Sequence, residues 1–187
     1  SGILKNNYKT VDGHSASEIT FKNVEVSKDN LLGEIGKGYQ ALESTVDDAI
    51  LAVCAEATGI MKSLHDKTVE YSKNRVQFGV PIGGFQALQH RMVDTLMACE
   101  ETESILLWAL TTSQDDSTSL KKAISGLKYQ IGTAGKHVGQ EAVQLHGGMG
   151  ISWELDIAHF FKRLSSIEIL FGNADFHMKR FLMLSNN

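Results

Sequence analysis

The chain has 187 residues, of which 42% are hydrophobic and 21% charged, and its formal net charge is -4. This composition is typical of one globular domain, alone or with a small appendage, and the negative charge argues against nucleic-acid binding. No apolar run approaches the ~20 residues of a membrane span, and the N-terminus shows no signal-peptide pattern. We therefore predict a soluble, cytoplasmic protein with neither a nucleic-acid partner nor a membrane span.

Residues 1–36 carry the period-2 pattern of β-strands. Polar and apolar residues alternate from Glu18 to Phe21 and again from Val24 to Val26, and Lys22-Asn23 between them can turn. A single hairpin is only marginally stable in water. We therefore predict that residues 1–36 are the last strands and linker of a β domain, whose other strands are absent from this sequence or supplied by another chain.

The pattern becomes helical at Tyr39, and residues 37–187 are predicted to form a helical bundle domain. The first helix should run without interruption to the vicinity of Arg75. The connection that follows, 78–84, holds the only proline of the chain, and a second helix begins at Phe85. The predicted fold is mainly α, an up-down four-helix bundle preceded by a short β remnant.

A third helix follows the polar turn predicted at 114–119. Its apolar face is formed by Leu120, Ile124, Leu127, Ile131, Ala134, Val138, Ala142 and Leu145. The same helix contains Gly126, Gly132, Gly135 and Gly139, each of which lowers helix stability by roughly 0.5–1 kcal/mol relative to alanine. We expect a very close neighbour on this side, within the bundle or in another subunit, and predict oligomerisation through this helix.

The third helix ends in Gln144-Leu145-His146-Gly147-Gly148-Met149-Gly150. One interpretation is that Gly147 only caps the helix, which glycine does very commonly. The other is that the glycines leave backbone bare so that a ligand can approach it.

Neither metal chemistry nor simple hydrolase chemistry has a motif in this sequence. The seven histidines form no HExxH pattern and no His/Cys cluster, so we predict no metal site. No GxSxG motif and no P-loop is present. Cys54 and Cys99 lie inside apolar helical runs and are interpreted as reduced core thiols.

Several segments, taken in their order and spacing, resemble the C-terminal half of the acyl-CoA dehydrogenase family. Each is weak alone, but together they run across nearly the whole chain. They are Ile19 to Val26, Asn30 to Gly33, Gly36 to Gly38, Arg75 to Gly79, Pro81-Ile82, Phe85-Gln86, Gln144 to Gly150 and Phe161 to Arg163.

The resemblance implies that the chain binds FAD, which in this family lies between two subunits of an oligomer. It implies cofactor-binding roles for Arg75, Phe78, Phe85, Gln86, Gln144, Leu145, His146, Gly147, Gly148, Asn173 and Asp175. The residue types agree, since a guanidinium fork can hold a pyrophosphate and glycine lets a nucleotide approach the backbone. For Arg75 the alternative is a cation that complements the dipole of the first helix.

The resemblance also implies a missing catalytic base. In the family a glutamate removes the α-proton of the acyl-CoA thioester, but its usual position here is Phe171 and its alternative position is Ala49. Asp47, Asp48 and Asp175 are near in sequence, and we interpret the first two as a solvated helix face and the third as a first-turn carboxylate. No residue is therefore assigned as catalytic.

This combination resembles the small, base-lacking subunits of two-subunit bacterial acyl-CoA dehydrogenases. We predict the C-terminal domain of an FAD-dependent acyl-CoA dehydrogenase-like protein that works with a base-bearing subunit, an acyl-CoA substrate and an acceptor such as electron-transfer flavoprotein. Oxygen as the acceptor remains open. The alternative is a non-enzymatic helical assembly subunit that no longer binds flavin, and the retained Arg75, Gln86, Gln144 and glycine pair favour the flavoprotein.

Overall fold

The computed structural model describes residues 2–112 and 117–186 of the chain. The chain divides into two compact units, Ser1–Val46 and Asp47–Asn187. The predicted domain boundary between residues 36 and 37 stays a prediction. Among the described residues, no helix combines the length and the apolar character that crossing a membrane requires.

The first unit contains an antiparallel hairpin of strands β1 (Ile3–Lys9) and β2 (Ser15–Phe21). The predicted pairing of Glu18–Phe21 with Val24–Val26 is wrong, because residues 24–26 form no strand and β2 pairs with β1. The turn lies instead at Asp12-Gly13, where Gly13 has φ +84°. Asp-Gly is a strong hairpin signal, and here it outweighs the short alternation after Phe21.

Five α-helices follow in the described part of the chain, and they confirm the predicted mainly α bundle. They are α1 (Gly38–Asn74), α2 (Gln86–Thr111), α3 (Ser117–His146), α4 (Asp156–Ile169) and α5 (Ala174–Ser185). The predicted polar turn at 114–119 lies partly outside the described residues, and its last three residues already belong to α3.

Helix α3 carries the core of the second unit. Its predicted apolar face is confirmed, since Ile124, Leu127 and Ile131 are fully buried and the face continues through Leu145. The fully buried side chains of α1, including Met61 and Leu64, complete this core. Burial of each large aliphatic side chain stabilises the fold by roughly 1.5–3 kcal/mol. Helix α3 packs against α2, α4 and α5, so it is the central element of the bundle.

The glycines of α3 make room for α4 and α5 of the same chain. A Cβ on Gly132 would lie 2.9 Å from the Cβ of Ala174, and a Cβ on Gly139 would lie 2.7 Å from the ring of Phe161. The close neighbour is thus within the bundle. Of the two predicted locations for that neighbour, the one within the bundle is confirmed for Gly132 and Gly139, whereas oligomerisation through α3 stays a prediction.

Two short strands, β3 (Val76–Gln77) and β4 (Val80–Pro81), form a second hairpin between α1 and α2. Phe78 and Gly79 make its two-residue turn with φ angles of +56° and +81°. Positive φ at both turn positions matches the twist of paired strands, but it is unusual for a bulky residue such as phenylalanine. The hairpin therefore holds Phe78 in a strained conformation at its tip.

Candidate functional site

An open trough of about 450 Å³ lies where the end of α1, the second hairpin and the end of α3 meet. It is lined by Tyr71, Arg75, Gln77, Ile82, Gln144, Leu145, His146, Gly147, Gly148 and Met149. Six residues singled out from the sequence line it together: Arg75, Gln144, Leu145, His146, Gly147 and Gly148. These residues come from positions about seventy apart, and the packing of α1 against α3 brings them together.

Arg75 follows directly after the last residue of α1, and its backbone is held on both sides. Its N–H donates to the carbonyl of Tyr71 at 2.8 Å, and its carbonyl accepts from the N–H of Ile82 at 2.8 Å. The side chain is exposed, and no carboxylate among the described residues pairs with it. A permanent cation with a fixed backbone therefore remains free to bind an anion at the trough.

Two of the three glycines after α3 are required by the chain itself, and the third is not. Gly147 has φ +60°, a conformation that side chains disfavour, and a Cβ on Gly150 would lie only 2.5 Å from the carbonyl oxygen of Val143. At Gly148 the φ is ordinary and no atom of the described chain lies within 4 Å of the Cβ position. Contacts within the chain thus explain Gly147 and Gly150, whereas Gly148 leaves open space beside the trough.

His146, the last residue of α3, stacks on Tyr71 with ring centroids 4.3 Å apart and an angle of 28° between the planes. The Tyr71 hydroxyl donates to the His146 carbonyl at 3.4 Å. The His146 Nδ1 lies 2.8 Å from the carbonyl oxygen of Ala142, so Nδ1 carries the proton. Burial lowers the pKa of His146 below its usual 6.5, against the opposing effects of the Ala142 carbonyl and Asp156. The imidazole is thus neutral at pH 7.

Phe78 and Phe85 lie beside the trough and not in its wall. Their rings meet edge to face with centroids 6.2 Å apart, and Phe78 is 93% exposed. Gln86 is the exposed first residue of α2. The hairpin that begins after Arg75 thus presents an apolar aromatic surface next to the cation.

Asn173 and Asp175 lie at another place in the second unit. The Asn173 side chain accepts from the N–H of Phe176 at 3.0 Å and caps α5, and Asp175 lies in the first turn of that helix. The neighbouring Ala174 packs on Gly132. Gly132 precedes Gly147 by 15 residues, which corresponds to about 22 Å along α3. Within one chain, Asn173 and Asp175 therefore lie too far from the trough to line it.

Neither expected base position carries a carboxylate. Phe171 has φ +60°, and its carbonyl accepts a 3.0 Å hydrogen bond from Nε2 of His177. The interpretation of Asp47 as part of a solvated face is wrong, because it is only 6% exposed and both its oxygens pair with Arg180, at 2.7 and 2.8 Å. Asp48 is exposed, as expected.

Sequence analysis assigned no role to Lys128, which the structure buries completely. Its ammonium donates to the carbonyl oxygens of Glu168 and Gly172, each at 2.8 Å. Burial lowers its pKa below 10.5. A signal was present, because Lys128 follows Ile124 by four positions on the buried face of α3, where a charge needs a partner.

Comparison with known proteins places these features in context. Residues 36–183 match the family described as acyl-CoA dehydrogenase, C-terminal domain. The chain is 39% identical over 130 residues to acyl-CoA dehydrogenase IpdE2 of Mycolicibacterium smegmatis. The matched region covers 70% of this chain and 40% of that protein.

Two solved structures share the fold. A variant of the Tcur3481-Tcur3483 steroid ACAD is 28% identical with a TM-score of 0.87, over 99% of this chain and 49% of that one. PigA with FAD and proline is 22% identical with a TM-score of 0.90, over 99% of this chain and 49% of that one. The chain thus spans about half the length of these structures and 40% of the curated relative.

Proposed function

Because the chain belongs to the acyl-CoA dehydrogenase family, we propose that it is the helical domain of a flavoenzyme that introduces a double bond between Cα and Cβ of an acyl-CoA thioester. In this proposal the domain holds part of an FAD shared between subunits and contributes contacts of the oligomer. Bound FAD would supply the acceptor for the hydride that leaves Cβ.

One observation carries this proposal: the free guanidinium of Arg75 and the bare backbone at Gly147 and Gly148 line the same trough. A guanidinium fork can hold two phosphate oxygens at once. The absence of a Cβ at Gly148 lets the same ligand approach the end of α3. The amide of Gln144 adds hydrogen-bonding capacity for the nucleotide, so the chemistry of the residues present fits the pyrophosphate portion of FAD.

Phe78 supports a shared site. A bulky side chain with positive φ and 93% exposure is unfavourable in an isolated chain. Contact with a cofactor or neighbouring subunit would bury this ring and compensate for the strain. Phe85, which meets Phe78 edge to face, supports it from the start of α2.

The base would come from a partner subunit. Phe171 and Ala49 cannot accept a proton, and Asp47 is fully engaged by Arg180. One matched structure, Tcur3481-Tcur3483, carries a paired name, which agrees with a two-component enzyme. The electrons would pass to an acceptor such as electron-transfer flavoprotein, and the reduced state of Cys54 and Cys99 suits the cytoplasm.

The hairpin of the first unit would belong to a β domain. Apolar residues of both strands are exposed, among them Ile3, Leu4, Ile19 and Phe21. Two strands alone do not form a stable sheet. Further strands of a β domain would bury these side chains.

The lack of a carboxylate at Phe171 and Ala49 favours one other candidate, a helical assembly subunit that no longer binds flavin. The two candidate functions predict different colours for the purified protein, because only a flavin-binding protein is yellow. We would express the protein at its natural full length with its genomic neighbour and record the flavin absorbance of the purified complex. A yellow complex is expected, and a colourless complex that added FAD leaves unchanged would establish the assembly subunit.

Variants sharpen this experiment. Arg75→Met should lower FAD content, whereas Lys73→Met, which removes an exposed cation two residues earlier, should not. The chain alone should not turn over any acyl-CoA with an artificial electron acceptor. Turnover by the chain alone would contradict the assignment of the base to a partner.

A further inference from the structure

Another cavity, of about 270 Å³, lies between α3 and α4 and shares no lining residue with the trough. We call it the α3–α4 cleft. Pockets for drug-sized ligands usually have volumes of about 300–1,000 Å³, so this cleft suits a smaller molecule. Its wall includes Gly135, Lys136 and Gln140 of α3 and Phe161, Leu164 and Glu168 of α4. Sequence analysis assigned a binding role to none of them.

The floor of the cleft is apolar and has a fixed shape. The Phe161 ring packs so tightly on Gly139 that a Cβ there would lie 2.7 Å from it, and Leu164 is buried. A Cβ on Gly135 would lie 3.6 Å from Cδ2 of Leu164, which is an ordinary contact. Packing within the chain therefore does not require a glycine at this position, and its bare backbone leaves room in the cleft.

The cleft also contains one cation and one anion. Lys136 is exposed and Glu168 is half-buried. The two charges line the same cavity, yet they pair neither with each other nor with another charged side chain among the described residues. Both charges are therefore available to a ligand.

The position of Glu168 is fixed by contacts that leave part of its carboxylate free. Its Oε1 accepts the N–H of Ala174 at 3.3 Å. The buried ammonium of Lys128 donates to the backbone carbonyl of Glu168 at 2.8 Å, and not to the carboxylate. In the described part of the chain no group donates to Oε2, which can accept a charge-assisted hydrogen bond from a ligand.

We infer that the α3–α4 cleft binds a small zwitterion with an apolar side chain, of the class of the aliphatic α-amino acids. Lys136 and the amide of Gln140 bind its carboxylate, and Glu168 binds its ammonium. The side chain of the ligand packs on Phe161 and Leu164. This site goes beyond the proposed function, since it requires no flavin.

The two charges also make the cleft selective. A carboxylic acid of the same shape leaves Glu168 without a cation, and an amine leaves Lys136 without an anion. A binding site discriminates against ligands that leave its polar groups without partners. The cleft therefore prefers the zwitterion to either singly charged analogue.

The test is equilibrium dialysis of radiolabelled L-leucine against the FAD-saturated protein, at its natural full length and with its partner subunit. We expect saturable binding of one leucine per chain. Isocaproate, which lacks the amino group, and isoamylamine, which lacks the carboxylate, should each compete at least roughly tenfold less well than unlabelled leucine. This competition uses the wild-type protein, so it decides the question even if a variant does not fold.

Variants assign the two charges. Lys136→Met and Glu168→Gln should each weaken leucine binding roughly tenfold, because each removes one charge-assisted contact. Lys136→Arg keeps the cation and should retain most of the affinity. The matched control is Lys179→Met, which removes an exposed lysine of α5 outside the cleft and should bind leucine like the wild type.

Three results would overturn the inference: no saturable binding up to about 20 mM leucine, equal competition by either analogue, or wild-type affinity in both Lys136→Met and Glu168→Gln. The outcome is separate from that of the proposed function. Arg75→Met should lower FAD content and leave leucine affinity unchanged. If Arg75→Met instead keeps its FAD while leucine binds as expected, the nucleotide site fails and the α3–α4 cleft stands.

Discussion

The ammonium of Lys128 donates a 2.8 Å hydrogen bond to the carbonyl oxygen of Gly172, deep inside the second unit. It donates equally to the carbonyl of Glu168, at the end of α4. Between these carbonyls, Phe171 and Gly172 take left-handed conformations with φ +60° and +103°. A buried cation on α3 thus holds the strained turn that connects α4 to α5.

Replacement of this cation tests how much it stabilises the turn. Lys128→Met keeps a flexible apolar stem but leaves two carbonyls without their donor, and we expect the unfolding free energy to fall by about 2–4 kcal/mol. Urea denaturation measures the change. Lys136→Met, at an exposed position of α3, should shift it by less than ~0.5 kcal/mol. An equally stable Lys128→Met would mean that desolvation of the ammonium cancels its hydrogen bonds.

His177 should make the protein sensitive to acid. It is fully buried, and burial lowers its pKa from 6.5 to about 4, despite its hydrogen bond to the Phe171 carbonyl. Between these values the unfolded chain binds a proton that the folded chain does not, so stability falls as the pH falls from 6.5 towards 4. The loss amounts to about 3 kcal/mol at 1.36 kcal/mol per unit.

The measurement is a series of urea denaturation curves across that pH window. His177→Phe should flatten the dependence, whereas His90→Phe, at an exposed position of α2, should keep the wild-type slope. An unchanged slope in His177→Phe would assign the acid sensitivity to other groups.

The glycines of α3 offer a test of close packing. In Gly139→Ala the new methyl group would meet the Phe161 ring at 2.7 Å, and overpacking of this kind destabilises by about 1–3 kcal/mol. Gly59→Ala is the matched control, because no atom lies within 4 Å of its Cβ position on α1. The control should stabilise the protein by roughly 0.5–1 kcal/mol through helix propensity alone. Thermal unfolding measures the stability of both variants. If both melting temperatures shift in the same direction, the predicted close packing at Gly139 is contradicted.

Loss of the carboxylate of Asp47, which pairs with Arg180, should destabilise the protein more than loss of the neighbouring carboxylate of Asp48. Asp47→Asn removes the carboxylate that pairs with the Arg180 guanidinium, whose side chain is 17% exposed. Removal of one partner of a fully buried pair costs about 3–5 kcal/mol, so we expect a loss of up to about 3 kcal/mol for this partly buried pair. Asp48→Asn changes an exposed carboxylate and should have an effect below ~0.5 kcal/mol. Equal stabilities of the two variants would show that the pair adds little to the fold.

Periodicity predicted the helices well and the polar contacts between them poorly. The bounds of α1 and the buried face of α3 follow from local spacing, which is visible in one stretch of sequence. The partners of Lys128 lie 40 and 44 residues away, and Arg180 lies 133 residues from Asp47. Such pairings depend on how helices pack, so Asp47 was predicted to be solvated.

The trough was predictable for a different reason. Arg75 and Gly147 end two helices, α1 and α3, and the resemblance of both motifs to one family implied a common ligand. The stack of Tyr71 on His146 was not predicted, because an aromatic residue one turn before a helix end has no distinctive spacing. Asn173 and Asp175 were grouped with the trough on resemblance alone, and the length of α3 separates them from it within one chain.

A substitution at Gly148 should change ligand affinity without changing the stability of the fold. Gly148→Ala meets no atom within 4 Å and requires no unusual φ, so the unfolding free energy should change by less than ~0.5 kcal/mol. FAD affinity should nevertheless fall by roughly tenfold or more, because the methyl group occupies the space through which a phosphate would approach the end of α3. Gly147→Ala cannot make this separation, since φ +60° would strain the variant by about 1–2 kcal/mol before any ligand binds. Fluorescence titration with FAD and urea denaturation, performed on the same preparations, measure both quantities, and wild-type affinity in Gly148→Ala would mean that the nucleotide does not approach this helix end.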